Sequence, residues 1–219
     1  MPAHRQPYDR VKRGLDALFA GLALLVLSPV LLGVGVAVAL MMGRPVLFRQ
    51  TRPGLGGRLF ELRKFRTMHP IGPGRVSDGE RLTRFGRWLR SSSLDELPTL
   101  WNVLRGDMSL VGPRPLMVSY LERYTPEQAR RHEVRPGITG LAQVRGRNAL
   151  SWEKKFSYDV HYVDARCLRL DLRILLETVV VVLRGEGITA DGYATAPEFL
   201  GTADSVSLTN ADRGGAPPA

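Results

Sequence analysis

The sequence predicts a helix-rich α/β protein: an N-terminal helix–break–helix membrane anchor, then a small cytoplasmic domain with interfacial amphipathic helices. Three observations predict it. An apolar run from Ala17 to Met42 is interrupted at Ser28-Pro29, and two short extended runs flank a Gly-rich turn. Arginine recurs every third residue from Arg81 to Arg90, interleaved with Leu82, Phe85, Trp88 and Leu89. The expected boundaries are residues 1–44 for the basic flank and anchor, 45–201 for the domain, and 202–219 for a tail of disorder-prone composition. At 219 residues and 44% hydrophobic, the chain can bury a real core, which excludes wholesale disorder.

The anchor comes first. About 20 apolar residues span a bilayer, but proline at position 29 removes a backbone donor and crowds the preceding turn. Each half is then roughly 12 residues, about 18 Å of helix, too short to cross alone. Both flanks are basic, with Arg5, Arg10, Lys12 and Arg13 before and Arg44, Arg49, Arg52 and Arg58 after. The positive-inside rule then keeps both ends in the cytoplasm. A re-entrant hairpin satisfies both observations, and the Ser28 hydroxyl can meet a freed carbonyl. A kinked spanning helix is the alternative. A cleaved signal peptide is disfavoured by the length of the apolar run and the Arg-rich sequence after it.

Next, Val46–Gln50 and Arg58–Phe65 read as a strand hairpin around Pro53-Gly54-Leu55-Gly56-Gly57. Those glycines lack the Gly-Lys-Ser/Thr of a phosphate-binding P-loop. Gly72–Gly79 reads as a polar loop. The Arg81–Arg90 stretch predicts one helix with an apolar stripe and a basic flank, suited to an anionic lipid surface. A second helix is expected from about Ser93 to Gly106, a third from Thr125-Pro126-Glu127 to before Pro136-Gly137, and a fourth capped by Ser151. Leu172–Leu183 is a strongly apolar helix or strand.

Composition narrows the function classes. The net charge is +10, and 27 of the 31 basic residues are arginine. Arginine's planar fork suits bidentate phosphate binding, so an anionic partner is expected. The lone Cys167 excludes an intramolecular disulfide framework, and the four histidines have no zinc-type spacing. A membrane-tethered nucleic-acid-binding protein lacks its usual signatures here, so no nucleic acid is expected as a partner. A non-enzymatic scaffold on anionic lipid remains an alternative.

The acids that could carry chemistry are Asp95 and Glu96. Ser93-x-x-Glu96 reads as a capping box at a helix start. Asp95 also reads as a nucleophile or metal ligand kept ionised by Arg90 and nearby basic residues. Arg114 lies between Pro113 and Pro115, either an edge turn or a preorganised guanidinium aimed at a phosphate.

Several motifs occur in order: Lys64-Phe65-Arg66-Thr67-Met68, Leu94-Asp95-Glu96-Leu97-Pro98, the run from Asn102 to Pro115, the run from Pro136 to Val144, and Gly146-Arg147-Asn148. Together they resemble the bacterial sugar transferase family over about Tyr8–Gly201. The resemblance implies a minimal monotopic phosphoglycosyl transferase on the cytoplasmic face of the bacterial inner membrane. Such an enzyme moves a sugar-1-phosphate from a UDP-sugar to polyprenyl phosphate and releases UMP. It implies Asp95 as the nucleophile forming an aspartyl-phosphosugar, Glu96 as its partner, and Mg²⁺ as the cofactor held with these acids. It implies phosphate or nucleotide contacts for Lys64, Arg66, Arg90, Arg114 and Arg147, a re-entrant break at Ser28-Pro29, and anionic membrane lipid as a partner. A homodimer is compatible with it. Thr99 and Arg145 depart from the family's expected glutamine and asparagine, as does Ser157-Tyr158 before Asp159. The stretch from Gly146 to Phe156 resembles the subset of the family that handles acetamido sugars.

Overall fold

The computed structural model describes residues 7–72, 77–146, 149–184 and 198–201. The chain begins with α1 (Tyr8–Val26) and α2 (Ser28–Met42), bent by 63° across Leu27. The bend follows from chemistry at two adjacent residues. Pro29 cannot donate to the carbonyl of Leu25, and the Ser28 hydroxyl donates to that oxygen instead, at 2.8 Å. Among the described residues no single helix is long and apolar enough to cross a membrane, whereas the bent pair passes that test together. Leu25, Val26, Leu32 and Leu40 stand exposed along the pair, Leu40 to 81%. So large an apolar surface calls for an apolar cover.

The lower half of α1 faces the protein. Ala20 packs with Leu62, Leu100, Val103 and Met108. Asp16 accepts from Ser109 Oγ at 2.6 Å, and the Arg13 guanidinium donates to the carbonyls of Val103 (2.6 Å) and Leu104 (2.7 Å). Lys12 pairs with Asp171 at 2.5 Å, and Tyr8 and Tyr162 donate to the same carboxylate. Two of the four basic residues before the apolar run are therefore turned inward and fix the angle of α1 to the rest of the protein.

The strand hairpin forms as expected: β1 (Leu47–Pro53) pairs antiparallel with β2 (Leu59–Phe65), Leu47 opposite Phe65. Gly56 and Gly57 take positive φ in its turn. The arginine row is not one helix. It breaks at Leu82-Thr83 into α3 (Asp78–Arg81) and α4 (Arg84–Ser91), because Thr83 caps α4 by accepting from Gly86 N at 2.8 Å. In α4 Leu89 is buried and Trp88 is 53% exposed, stacked on Phe85.

After a 3₁₀ turn at Leu94–Glu96 come α5 (Thr99–Arg105) and the short β3 (Ser109–Val111). Two further 3₁₀ turns flank α6 (Pro126–Ala129), which starts with a complete capping box between Thr125 and Gln128. Next are β4 (Gly137–Thr139), parallel to β3 with Ser109 opposite Gly137, then α7 (Leu141–Val144), α8 (Trp152–Ala165) and α9 (Leu168–Arg184). Ser151 caps α8 as expected, and the Leu172–Leu183 run resolves as helix within α9. Val111, Leu141, Tyr162, Val163 and Ile174 close a core under the β3–β4 pair.

Candidate active site

The site lies where β2, the 3₁₀ turn and the loop after β3 meet. Ser93 adopts the left-handed conformation (φ 57°, ψ 14°), which sends the chain sharply into Leu94–Glu96. The expected capping box is therefore absent: the Ser93 side chain caps nothing, and α5 begins only at Thr99. The reason lies in Glu96, whose Oε1 accepts from Lys64 Nζ at 2.5 Å and Arg114 Nη2 at 2.8 Å. A carboxylate held by two cations from distant segments cannot also turn back on its own helix start. The Thr99 hydroxyl donates to the carbonyl of Glu96 and pins the turn from below.

Each cation reaches the site through packing. Lys64 comes from β2, which buried Asn102 ties to α5 by donating to the carbonyl of Glu61 at 2.7 Å and accepting from Arg63 N at 3.2 Å. Arg90 comes from α4. A Cβ at Gly86 would lie 1.9 Å from the carbonyl oxygen of Thr67, so only glycine lets α4 sit this close to the strand exit. Arg90 Nε then donates to Thr67 Oγ1 at 3.1 Å. Arg114 sits on a loop lashed to β4: Gly112 N donates to the carbonyl of Thr139 (2.9 Å), and Gly137 N to that of Pro113 (3.0 Å). A Cβ at Gly137 would stand 2.1 Å from Gly112 N.

Sequence reasoning missed the residue that completes this clamp. Arg131 is fully buried, paired with buried Asp159 at 2.7 Å, and donates to the carbonyl of Arg114 at 2.7 Å and the hydroxyl of Tyr124 at 3.1 Å. Its partner lies 28 positions away, so no local pattern marks it out among so many arginines. Phe199, from the short segment 198–201, roofs this corner by stacking on Tyr124.

Electrostatics divide the two acids. Asp95 is 8% exposed and, among the described residues, carries no direct ion pair or hydrogen bond. Burial, with the charge of Glu96 second, pushes its pKa up to about 6 against the pull of Lys64, Arg90 and Arg114. Burial acts in the same direction on Glu96 but is outweighed by Arg114 and Lys64, which hold it far below the usual carboxylate range. Glu96 is thus a fixed anion that organises cations, while Asp95 is a desolvated carboxylate with nothing holding it. Such a group is reactive toward an electrophile, and the surrounding cations suit a phosphate-bearing one.

Of the residues expected at the site, Lys64, Arg90, Asp95, Glu96 and Arg114 come together. Arg66 does not join them: its guanidinium donates to the carbonyls of Met42, Gly43 and Arg44, closing the C-terminal end of α2. Those carbonyls have no helical partner, and Arg66 supplies one. Arg147 lies outside the described residues. Ser28 and Pro29 form the break, as expected.

The donor set also bears on a metal. Among the described residues no three His, Cys, Asp or Glu side chains are placed together to hold a metal ion. Two adjacent carboxylates do fit an Mg²⁺ carried in on a diphosphate, which typically uses one or two protein carboxylates. Both cations bind Oε1 of Glu96, leaving Oε2 outside that pairing.

Comparison with known proteins adds an independent line. Residues 7–185 match the family model described as bacterial sugar transferase. The chain is 52% identical over 197 residues to the uncharacterized sugar transferase EpsL of Bacillus subtilis, covering 89% of this chain and 98% of that protein. It is 45% identical over 195 residues to the UDP-glucose:undecaprenyl-phosphate glucose-1-phosphate transferase of Caulobacter vibrioides (83% of this chain, 73% of the relative). It is 40% identical over 191 residues to the UDP-N-acetylgalactosamine-undecaprenyl-phosphate N-acetylgalactosaminephosphotransferase of Aeromonas hydrophila, covering 82% of this chain but 45% of that longer protein.

Proposed function

The chain belongs to the bacterial sugar transferase family, and on that premise we propose that this enzyme transfers a sugar-1-phosphate from a UDP-sugar to polyprenyl phosphate through a covalent intermediate on Asp95. The observation that carries the reading is the contrast within the acidic pair: a buried, unpaired Asp95 beside a Glu96 locked by two cations.

An Asp95 oxygen attacks the sugar-bearing phosphorus, and the bond from that phosphorus to the oxygen of the UMP phosphate breaks. UMP leaves with the electron pair, and a sugar-phosphoryl group remains on the carboxylate. A phosphate oxygen of the polyprenyl acceptor then attacks the same phosphorus, releases Asp95 as a carboxylate and forms the lipid diphosphate sugar. The burial that raises Asp95's pKa also strips it of water, favouring attack, while the pH of the cytoplasm keeps it mostly ionised. Arg114, Arg90 and Lys64 stabilise negative charge spreading over the phosphoryl oxygens. Asp95 and Glu96 would hold Mg²⁺, which would supply neutralisation of the charge on the diphosphate oxygens.

The acceptor explains the anchor. A lipid phosphate is confined to the membrane surface, and an enzyme held there gains proximity to it. The 63° bend and the exposed apolar residues support a re-entrant hairpin that returns to the cytoplasmic face. The named relatives use glucose and N-acetylgalactosamine donors, so the choice of sugar is set by a panel assay. Purified protein is mixed with Mg²⁺, polyprenyl phosphate and UDP-glucose, UDP-galactose or the UDP-N-acetylhexosamines, and UMP is measured. Lipid-dependent UMP release with at least one donor is expected. Release with none of them contradicts the reading.

A further inference from the structure

Beside Glu96 lies a cavity of about 40 Å³, walled in part by Arg52, Lys64, Glu96, Arg114 and Gly137. Asp95 is not among its lining residues, so this space lies to one side of the attacking carboxylate. Three of its walls are cationic and one is anionic. Lys64 and Arg114 are engaged with Glu96, whereas Arg52 has no such partner: among the described residues no carboxylate pairs with it. Its Nη2 donates to Gln50 at 2.6 Å, and its Nε is buried without a hydrogen bond. Burial, and after it the neighbouring charge of Arg114, lowers the guanidinium's pKa. A half-buried arginine facing a like charge with an orphaned donor is an unfavourable arrangement by itself, and an anion between the two cations would relieve it.

We propose that Arg52, together with Lys64 and Arg114, forms a second anion subsite that takes a phosphate monoester dianion, separate from the phosphorus that Asp95 attacks. Two participants carry that group: the departing UMP and the prenyl phosphate acceptor. A cavity of this size suits a phosphoryl group, and the rest of either molecule extends beyond it. The inference rests on the phosphosugar-transfer reading only for the identity of these two ligands. The arrangement of charge calls for an anion in any case.

The test is thermal melting of the full chain in detergent, with UMP in one arm, geranyl phosphate in a second, and inorganic phosphate as the ionic control. Wild-type protein is expected to be stabilised by at least one of the two esters, and Arg52→Gln to lose most of that shift. Because the substitution removes a like charge, Arg52→Gln without ligand should melt no lower than wild type. The ester whose shift disappears identifies the occupant. Asp95→Asn keeps Arg52 and should retain the shift even if the covalent mechanism fails, which separates the two claims. A full shift in Arg52→Gln with both esters, or no shift in wild type with either, overturns the subsite. Should Arg52→Gln fail to fold, Arg52→Lys keeps the charge and loses the fork. Its affinity for the occupant is expected to fall at least tenfold, and unchanged affinity overturns the proposal.

Discussion

Asp95 should destabilise the protein it serves. Its pKa stands at about 6 when folded against an ordinary 3.8, chiefly through burial. A raised carboxylate pKa means that folding disfavours the anion. Well below pH 3.8 the acid is protonated in both states and carries no penalty. Between pH 4 and 6 the penalty grows, and above the folded pKa it reaches a plateau. At about 1.4 kcal/mol per tenfold change in proton affinity, the plateau is about 3 kcal/mol. Asp95→Asn keeps the shape and removes the charge. In a chain of this size 1 kcal/mol moves Tm by about 2–4 °C, so the variant should melt about 6–12 °C above wild type at pH 7–8. The assay is thermal unfolding in detergent with chelator, from pH 4 to 8. The gap should close toward pH 4 and open fully by pH 7. A variant that melts at or below wild type throughout, or a gap independent of pH, refutes the reasoning.

Other expectations follow from the same geometry. Arg114→Lys keeps the charge but loses the fork, and turnover in the UMP-release assay should fall about 10²–10³-fold. Asp159→Ala strands the buried Arg131 and should destabilise the fold by about 3–5 kcal/mol in denaturant titration. Ser93→Gly should melt and turn over as wild type does, whereas Ser93→Val, β-branched at positive φ, should lose both. With Cys167 replaced, single cysteines at Arg10 and Arg49 should react with an impermeant reagent from the same side of the membrane. Labelling from opposite sides would show a kinked spanning helix instead.

What could be read directly from the chain was the chemistry that acts locally. Pro29 breaks a helix wherever it occurs, Gly56-Gly57 turns a hairpin, and Thr125 and Ser151 cap whatever follows them. The site was legible through its ordered motifs, which carry Lys64, Asp95, Glu96 and Arg114, but the local reading around the two acids was misleading. Ser93-x-x-Glu96 has the spacing of a capping box, yet Lys64 and Arg114, 32 and 18 positions from Glu96, pull its carboxylate away and leave Ser93 left-handed. The same distance effect hid the Arg131–Asp159 pair behind Arg114. It also disguised Arg66, read as a phosphate contact, which instead satisfies carbonyls at the end of α2, and it hid the inward bonds of Lys12 and Arg13, which had read only as basic flank. In a chain with 27 arginines, residue type alone does not separate those that bind a ligand from those that hold the backbone.

The covalent mechanism requires a bond between Asp95 and phosphorus. Intact-protein mass spectrometry measures it most directly, on enzyme mixed with its UDP-sugar and Mg²⁺ in the absence of lipid acceptor. A mass increase of one sugar-phosphoryl group is expected, mapped to Asp95, accompanied by UMP and discharged when polyprenyl phosphate is added. Asp95→Asn should show none of it while remaining folded. Full turnover by Asp95→Asn, or wild-type turnover in which UMP appears only once lipid is present and no adduct is ever trapped, would contradict the covalent mechanism.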